Sequence, residues 1–342
     1  MASKTDEEGP SFLAAVGSLF GTGPKIAKPS WSAYGKLPLY KDFLRHGLAA
    51  PEAQGFRQWL DRGFSRHWDE DEACSSHSIA PHAFSLCFDG LARRLAGCLW
   101  GSHDHGELRS FPFTLFVSLP AGSGVGDLSV LRALEEVAQS AGTLRCTLDA
   151  APDVQAFYQR LRESSLTLRL ERDKALVARL EKETQGTSIR AFAESLYGAD
   201  AAAVRWPALL AYLDRRRSAS RTRDRDAATP PLACRLPVSP LLPALLQAEL
   251  WSAFVLGAGA KGKEPLNVLL PWKGEPEGGI LILERNLRPD DVFAFHPSPP
   301  HYDFVEDLRH AVPGTAAPPP EEGWDLPLSS LLQAGAPRPA RG

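Results

Sequence analysis

Residues 111–119 carry apolar side chains on both of their alternating positions. Phe113, Leu115 and Val117 fall on one side, and Phe116 joins Thr114 and Ser118 on the other. A strand with apolar groups on both faces belongs in the middle of a sheet that is covered from both sides. Two further alternating runs precede it, at 84–88 and 94–100, and an earlier strand is expected at 31–37. A helical stretch follows, with helices expected at 127–141, 153–162, 170–183, 188–197 and 206–215. Strands return at 266–270 and 280–283, preceded by 241–256 as a helix throughout or a helix followed by a strand. Strands first, helices in the middle and strands again at the end is not a regular βαβ repeat. The order predicts an α+β fold, a mixed α/β layered domain with a central sheet, flanking helices and a helical insert at about 153–235.

The chain can build such a core. It has 342 residues, 44% of them apolar, with eight Trp and sixteen Phe. Its net charge of −3 provides no global field for nucleic acid or an acidic membrane. The apolar run at 12–20 is too short to span a bilayer, and the acidic start, with Asp6, Glu7 and Glu8, is unlike a secretory leader. Cys74, Cys87, Cys98, Cys146 and Cys234 form an odd set without paired spacing. Together these imply a reduced, cytoplasmic protein. Residues 1–30 are expected as a mobile leader, 31–311 as the folded domain, 216–231 as an exposed loop and 312–342 as a Pro/Ala-rich tail.

The chain leaves its first strand through Tyr34-Gly35-Lys36-Leu37-Pro38-Leu39-Tyr40-Lys41-Asp42-Phe43-Leu44-Arg45. Gly35 and Pro38 suit a bend, and Asp42 is expected to cap a helix start. A helix at 51–68 follows, where Phe56, Trp59, Leu60, Gly63, Phe64 and His67 recur at three- and four-residue steps. The acidic run 69–72 opposes the helix dipole and ends it. Near the C-terminus, 290–295 and 302–310 are expected as a short closing helix pair.

Other constellations are incomplete. Gly122, Gly124 and Gly126 precede a helix where a phosphate loop would sit, but Asp127 stands where the third Gly is needed and no Gly-Lys-Ser/Thr follows. The expectation there is a turn capped by Asp127. Cys74 and His77 have metal-ligand spacing, yet no second pair accompanies them, so no metal is expected. His103-Asp104-His105 is ligand-like but lies on an expected turn. The Arg run at 215–225 is interleaved with Asp224 and Asp226 and lacks aromatics, which suits a solvated loop better than a nucleic-acid surface.

Two segments resemble signatures of the TagF/ImpM family of type VI secretion-associated proteins. The first is Gly35-Lys36-Leu37-Pro38 with Asp42-Phe43, similar to G-K-L-P-x-x-G-D-F. The second runs from Trp100 to Phe113, similar to W-x-x-S-x-D-x-x-G-R-x-F-P-L, with Ser102, Asp104, Arg109, Phe111 and Pro112 at the matching places. Lys41 stands where the family has Gly, and Glu107-Leu108 separate Gly106 from Arg109. The chain is also longer than most members, mainly over 160–235. The resemblance implies a cytoplasmic, non-enzymatic regulator that holds type VI assembly off after translation. Its partner would be a component of that apparatus, such as a forkhead-associated scaffold protein, and it would need no cofactor. On this reading Lys36, Asp42, Asp104 and Arg109 contact the partner, while Gly35, Pro38, Phe43, Trp100, Ser102, Phe111 and Pro112 form the framework. Two rival readings are a structural adaptor that binds through the helical insert and an enzyme that uses His103, Asp104 and Arg109.

Overall fold

The computed structural model describes residues 24–67, 79, 81–88, 93–106, 110–120, 126–221, 233–256, 266–272, 279–295, 305–309 and 323–334. Three strands open the chain: β1 (Lys25–Ala27), β2 (Trp31–Gly35) and β3 (Leu44–His46). Helix α1 (Pro51–His67) begins on a proline, whose missing N–H is no loss in a first turn. The long strands β4 (His82–Leu86), β5 (Arg93–Trp100) and β6 (Phe113–Pro120) follow. The helical stretch then comprises α2 (Asp127–Asp149), α3 (Val154–Glu163), α4 (Asp173–Thr184), α5 (Ile189–Tyr197) and α6 (Ala199–Arg221), with β7 (Leu168–Leu170) between α3 and α4. Strand β8 (Ala233–Leu236), helix α7 (Ala244–Leu256), β9 (Leu266–Pro271) and β10 (Ile280–Glu284) lead to a 3-10 helix, Pro289–Phe295. A two-residue strand, β11 (Glu306–Asp307), and a short helix, α8 (Ser330–Ala334), complete the described elements.

Nine of the described strands form one sheet in the order β11-β8-β10-β9-β4-β5-β6-β2-β3. Every pairing is antiparallel except β11 with β8. β6, expected to be central, has β5 on one side and β2 on the other. Alternation along the strands sends side chains into two cores. On one face Ala96, Cys98, Phe113, Leu115 and Val117 pack with Leu131, Leu134 and Val137 of α2, and α7 extends the same cluster. On the other, Phe84, Leu86, Leu95, Leu99 and Phe116 meet Phe56, Trp59, Leu60 and Phe64 of α1, joined by Val292 and Phe295 of the 3-10 helix. The result is an α+β fold with helices on both faces of a mixed sheet.

Several segments differ from expectation. Asp42 does not open a helix: its carboxylate accepts the adjacent Phe43 N–H at 2.8 Å, and the chain runs into β3, a short edge strand on β2. The 290–295 helix is a 3-10 helix, but the described part of 302–310, residues 305–309, holds β11, because Leu308 donates to the Arg235 carbonyl and aligns it beside β8. Strand β8 falls inside the expected helical insert. Part of the expected leader, Lys25–Ala27, pairs with β7 in a separate two-stranded sheet; residues 1–23 lie outside the described residues. Part of the expected tail docks: the N–H groups of Ile189, Arg190 and Leu328 bond to Leu326, Trp324 and Thr187, and Leu328 is buried. Trp324, Leu328, Leu331 and Leu332 supply the apolar groups that the overall Pro/Ala content of the segment obscures. Helix α6 continues to Arg221 into the expected loop, whose remainder lies outside the described residues.

Gly63 shows how tightly α1 is seated. A methyl group there would lie 2.4 Å from a Val292 methyl and 2.7 Å from the Pro289 carbonyl oxygen. Alanine normally strengthens a helix interior by about 1 kcal/mol over glycine. Here Gly63→Ala is expected to destabilise the protein by roughly 1–3 kcal/mol through overpacking, as read by denaturant unfolding; a stabilised variant would show that the 3-10 helix is free to move away.

Glu249 of α7 is almost fully buried and lies 3.4 Å from Arg132 of α2, which also binds Glu183 of α4. Burial pushes the Glu249 carboxyl up to about 7, with Arg132 partly offsetting it. The folded state therefore holds this proton more tightly than the unfolded chain, and stability falls as pH rises from the ordinary carboxylate range to about 7. Glu249→Gln should gain on the native protein between pH 5 and pH 8 by an amount on the order of 3 kcal/mol, measured as the pH dependence of the difference in unfolding free energy. A difference that stays flat would place the carboxylate in contact with water.

Candidate functional site

The two signatures meet at one end of β2 and β6. Gly35 takes a φ of +131° and faces the Pro112 backbone so closely that a Cβ would lie 2.0 Å from the Pro112 carbonyl oxygen. Glycine is required there on both counts. The chain then turns at Pro38, closed by a Tyr40 N–H to Leu37 carbonyl bond of 3.0 Å. This places Pro at the second position of a β-turn, where its fixed φ is favoured.

The loop after β5 folds onto that turn. His105 donates its backbone N–H to the Tyr40 carbonyl at 3.2 Å, and its Nδ1 lies 3.0 Å from the Pro38 carbonyl oxygen, which makes Nδ1 the protonated nitrogen. Phe111 N–H bonds the Ser102 carbonyl at 3.1 Å, and His103 pairs with Ser110 in an isolated antiparallel bridge. Between these two braces Asp104 points inward and meets Lys36 Nζ at 3.1 Å, with both side chains 2% exposed. The Lys36 ammonium also sits 5.1 Å from the Phe43 ring. Phe43 stacks on Tyr34 and meets Phe111 edge-on at 4.8 Å, while Phe64 of α1 closes on Phe111 at 5.2 Å. Tyr34 hydroxyl donates to Asp61 of α1; burial first, then that bond, raises the phenol above its ordinary range.

Lys36, Asp104, Gly35, Pro38, Phe43, Ser102, Phe111 and Pro112 are thus brought together, and Trp100 ends the strand leading into the loop. Lys36 and Asp104 are interior. Asp42 is exposed on the outer side of the same corner, as are Tyr40, Lys41 and Arg45. Arg109 lies outside the described residues. Tyr40 and Arg45 did not emerge as site candidates in the sequence reading, although Tyr40, as a large aromatic on a turn, carried a signal of its own.

The ligand-like histidines are held by backbone. His103 Nδ1 lies 2.9 Å from the Asp104 carbonyl oxygen and His105 bonds Pro38. His82 packs edge-on to Phe295 at 5.2 Å, and Cys87 and Cys98 are buried, while Cys74 and His77 lie outside the described residues. Among the described residues no group of three His, Cys, Asp or Glu is arranged to hold a metal ion, and no helix is long and apolar enough to cross a membrane. The glycine-rich turn before α2 differs from a phosphate cradle in its described part. Asp127 does not cap: Gly126 holds that position, and the Asp173 carboxylate accepts from the N–H groups of Gly126 and Ser129, both at 3.2 Å. An acid already occupies the place a phosphate would take.

Removing one member of a buried pair strands the other, at about 3–5 kcal/mol. Lys36→Met and Asp104→Leu should each destabilise by that order. The double variant should lose clearly less than the two single losses added together, since two apolar groups leave no charge unpaired. Strict additivity in denaturant unfolding would mean that the two side chains do not interact.

Residues 32–164 match the family model of the TagF N-terminal domain, described as type VI secretion system-associated. The match runs from β2 to the end of α3 and contains both signatures. No curated protein matches the chain. Among solved structures the chain is similar to PA0076 of Pseudomonas aeruginosa PAO1, determined at 2.05 Å, with 26% identity over 39% of this chain and 62% of that one and a TM-score of 0.30. The chain therefore spans less than two thirds of that protein's length. Over residues 32–164, then, the chain is similar to the TagF N-terminal domain, a type VI secretion system-associated domain.

Proposed function

We propose that the chain acts without chemistry of its own, as a cytoplasmic regulator that holds type VI secretion back by binding a component of the apparatus. We further propose that the contact is made by the outer side of the signature corner. The supporting observation is the division of the signature's charges. Lys36 and Asp104 are paired inside, so they serve as a strut. Asp42 remains outside with Tyr40, Lys41 and Arg45, and Tyr40 is 40% exposed on a turn held by three hydrogen bonds. An aromatic on a rigid platform loses little entropy when bound, and rim charges select the partner. Arg109, outside the described residues, is the remaining charged member of the signature.

Tyr40→Ala and Asp42→Arg should retain the circular dichroism and melting of the native protein. Each should lose recovery of type VI components in pull-down, with a forkhead-associated scaffold protein as the first bait, and each should release secretion in cells. Arg109→Glu should do the same. Native recovery with all three folded variants would move the contact to the helical stretch 153–221 and favour the adaptor reading.

A further inference from the structure

We infer that the groove between β7 and α4 binds an acidic peptide segment of a partner protein. The groove has a volume of about 520 Å³ and is lined by Pro24, Arg169, Glu171, Arg172, Lys174, Ala175, Ala178 and Arg179. None of its lining residues falls within 32–164 or belongs to the signature corner, so it does not rest on the function proposed above.

The charge in this groove is one-sided. Arg169, Arg172, Lys174 and Arg179 face a single lining carboxylate, Glu171, and that carboxylate is paired with Arg179. Among the described residues no acid is paired with Arg169, Arg172 or Lys174. The nearest other carboxylate in sequence, Asp173, is turned away, since its Oδ1 accepts from Gly126, Ser129 N–H and Ser129 Oγ at the start of α2. Lys25, the first residue of β1, and Lys28, just beyond the strand, are both exposed. This concentration of positive charge stands in a chain whose net charge is −3, so it is a local feature rather than a reflection of the whole surface.

The remaining lining selects the kind of anion. Pro24, Ala175 and Ala178 form an apolar floor, and the arginine stems add to it. A free phosphate would leave that floor unused and fill only part of a volume typical of ligand sites. Nucleic acid would find no aromatic ring in the lining on which to stack a base. A membrane surface meets convex basic patches better than a recess between a strand and a helix. A short stretch of chain with carboxylates on both sides of an apolar side chain satisfies the cations and the floor together.

The probe is a fluorescein-labelled synthetic peptide of glutamates around a single leucine, titrated into the full chain. Saturable binding that weakens with salt is expected. Arg172→Glu/Lys174→Glu should weaken it at least about tenfold, and this variant should stay folded because acids at a helix start favour the dipole. Asp42→Arg should leave peptide binding unchanged, which separates this groove from the signature corner. The inference is overturned if the peptide does not bind, if the folded double variant binds it equally well, or if inorganic phosphate competes as effectively as unlabelled peptide. It is likewise overturned if phosphatidylserine vesicles bind in a way that the double variant abolishes while the peptide does not bind.

Discussion

β5 hydrogen-bonds to a neighbour on both sides and has a helical layer against both faces, so its register fixes which residues of the chain can meet. Two consecutive arginines at its start make that register electrostatic as well as apolar. Arg93 projects toward α1, where its Nε lies 3.0 Å from the buried Glu52 carboxylate, itself bonded by Ser118 of β6. Arg94 projects to the other face, pairs with Asp127 at the start of α2, and donates to the Leu266 carbonyl of β9 at 2.6 Å. A slip of one residue would send each guanidinium to the wrong layer, along with every apolar side chain of the strand. Whichever way the strand slipped, only one of the two acids, Glu52 or Asp127, could still meet an arginine, and the other would be left largely buried without one.

The signature corner repeats this logic at the other end of the sheet. Strands β2 and β6 can approach as they do only because Gly35 has no side chain opposite Pro112. The space where the two signatures converge is then filled by aromatic rings and closed by one ammonium and one carboxylate. The pair is a poor docking surface, since its charges are already satisfied inside. It is a good strut, since it fixes the height of the loop on which His105 grips the Pro38 turn. What a partner would meet is the consequence of that strut: an exposed Tyr40 held at a defined position.

Long alternating runs made the sheet readable in advance. Residues 84–88, 94–100 and 111–119 map onto β4, β5 and β6, the buried face of α1 followed from its three- and four-residue period, and the helices expected at 127–141 and 188–197 are α2 and α5. What escaped was short. β1, β3, β7 and β11 have two or three residues each, too few for a period to register, and they exist because a neighbour offers hydrogen bonds. Residues 323–334 escaped because average composition outweighed four well-placed apolar side chains. At the site, of the charges read as one contacting group, Lys36 and Asp104 pair inside while Asp42 is exposed. The difference between a buried pair and an exposed acid was not legible, because it depends on which way a turn faces the sheet, and that is set by Gly35 and Pro112 acting together.

The start of α2 shows how the helical stretch is tied to the sheet rather than appended to it. Two acids converge there from different parts of the chain. Asp127 binds Arg94 of the sheet, and Asp173 of α4 supplies the cap that Gly126 cannot. Burial, the larger cause, and the neighbouring Asp173 raise the Asp127 carboxyl, while Arg94 pulls it down. The helix dipole favours both acids, but their mutual repulsion is tolerable only while Arg94 stays in place. Movement of α4 would therefore be felt at β5 through charge as well as packing. The segment that lines the cationic groove is the same one that supplies this cap, so an occupant drawing Arg172 and Lys174 outward would act directly on the joint between the helical stretch and the sheet.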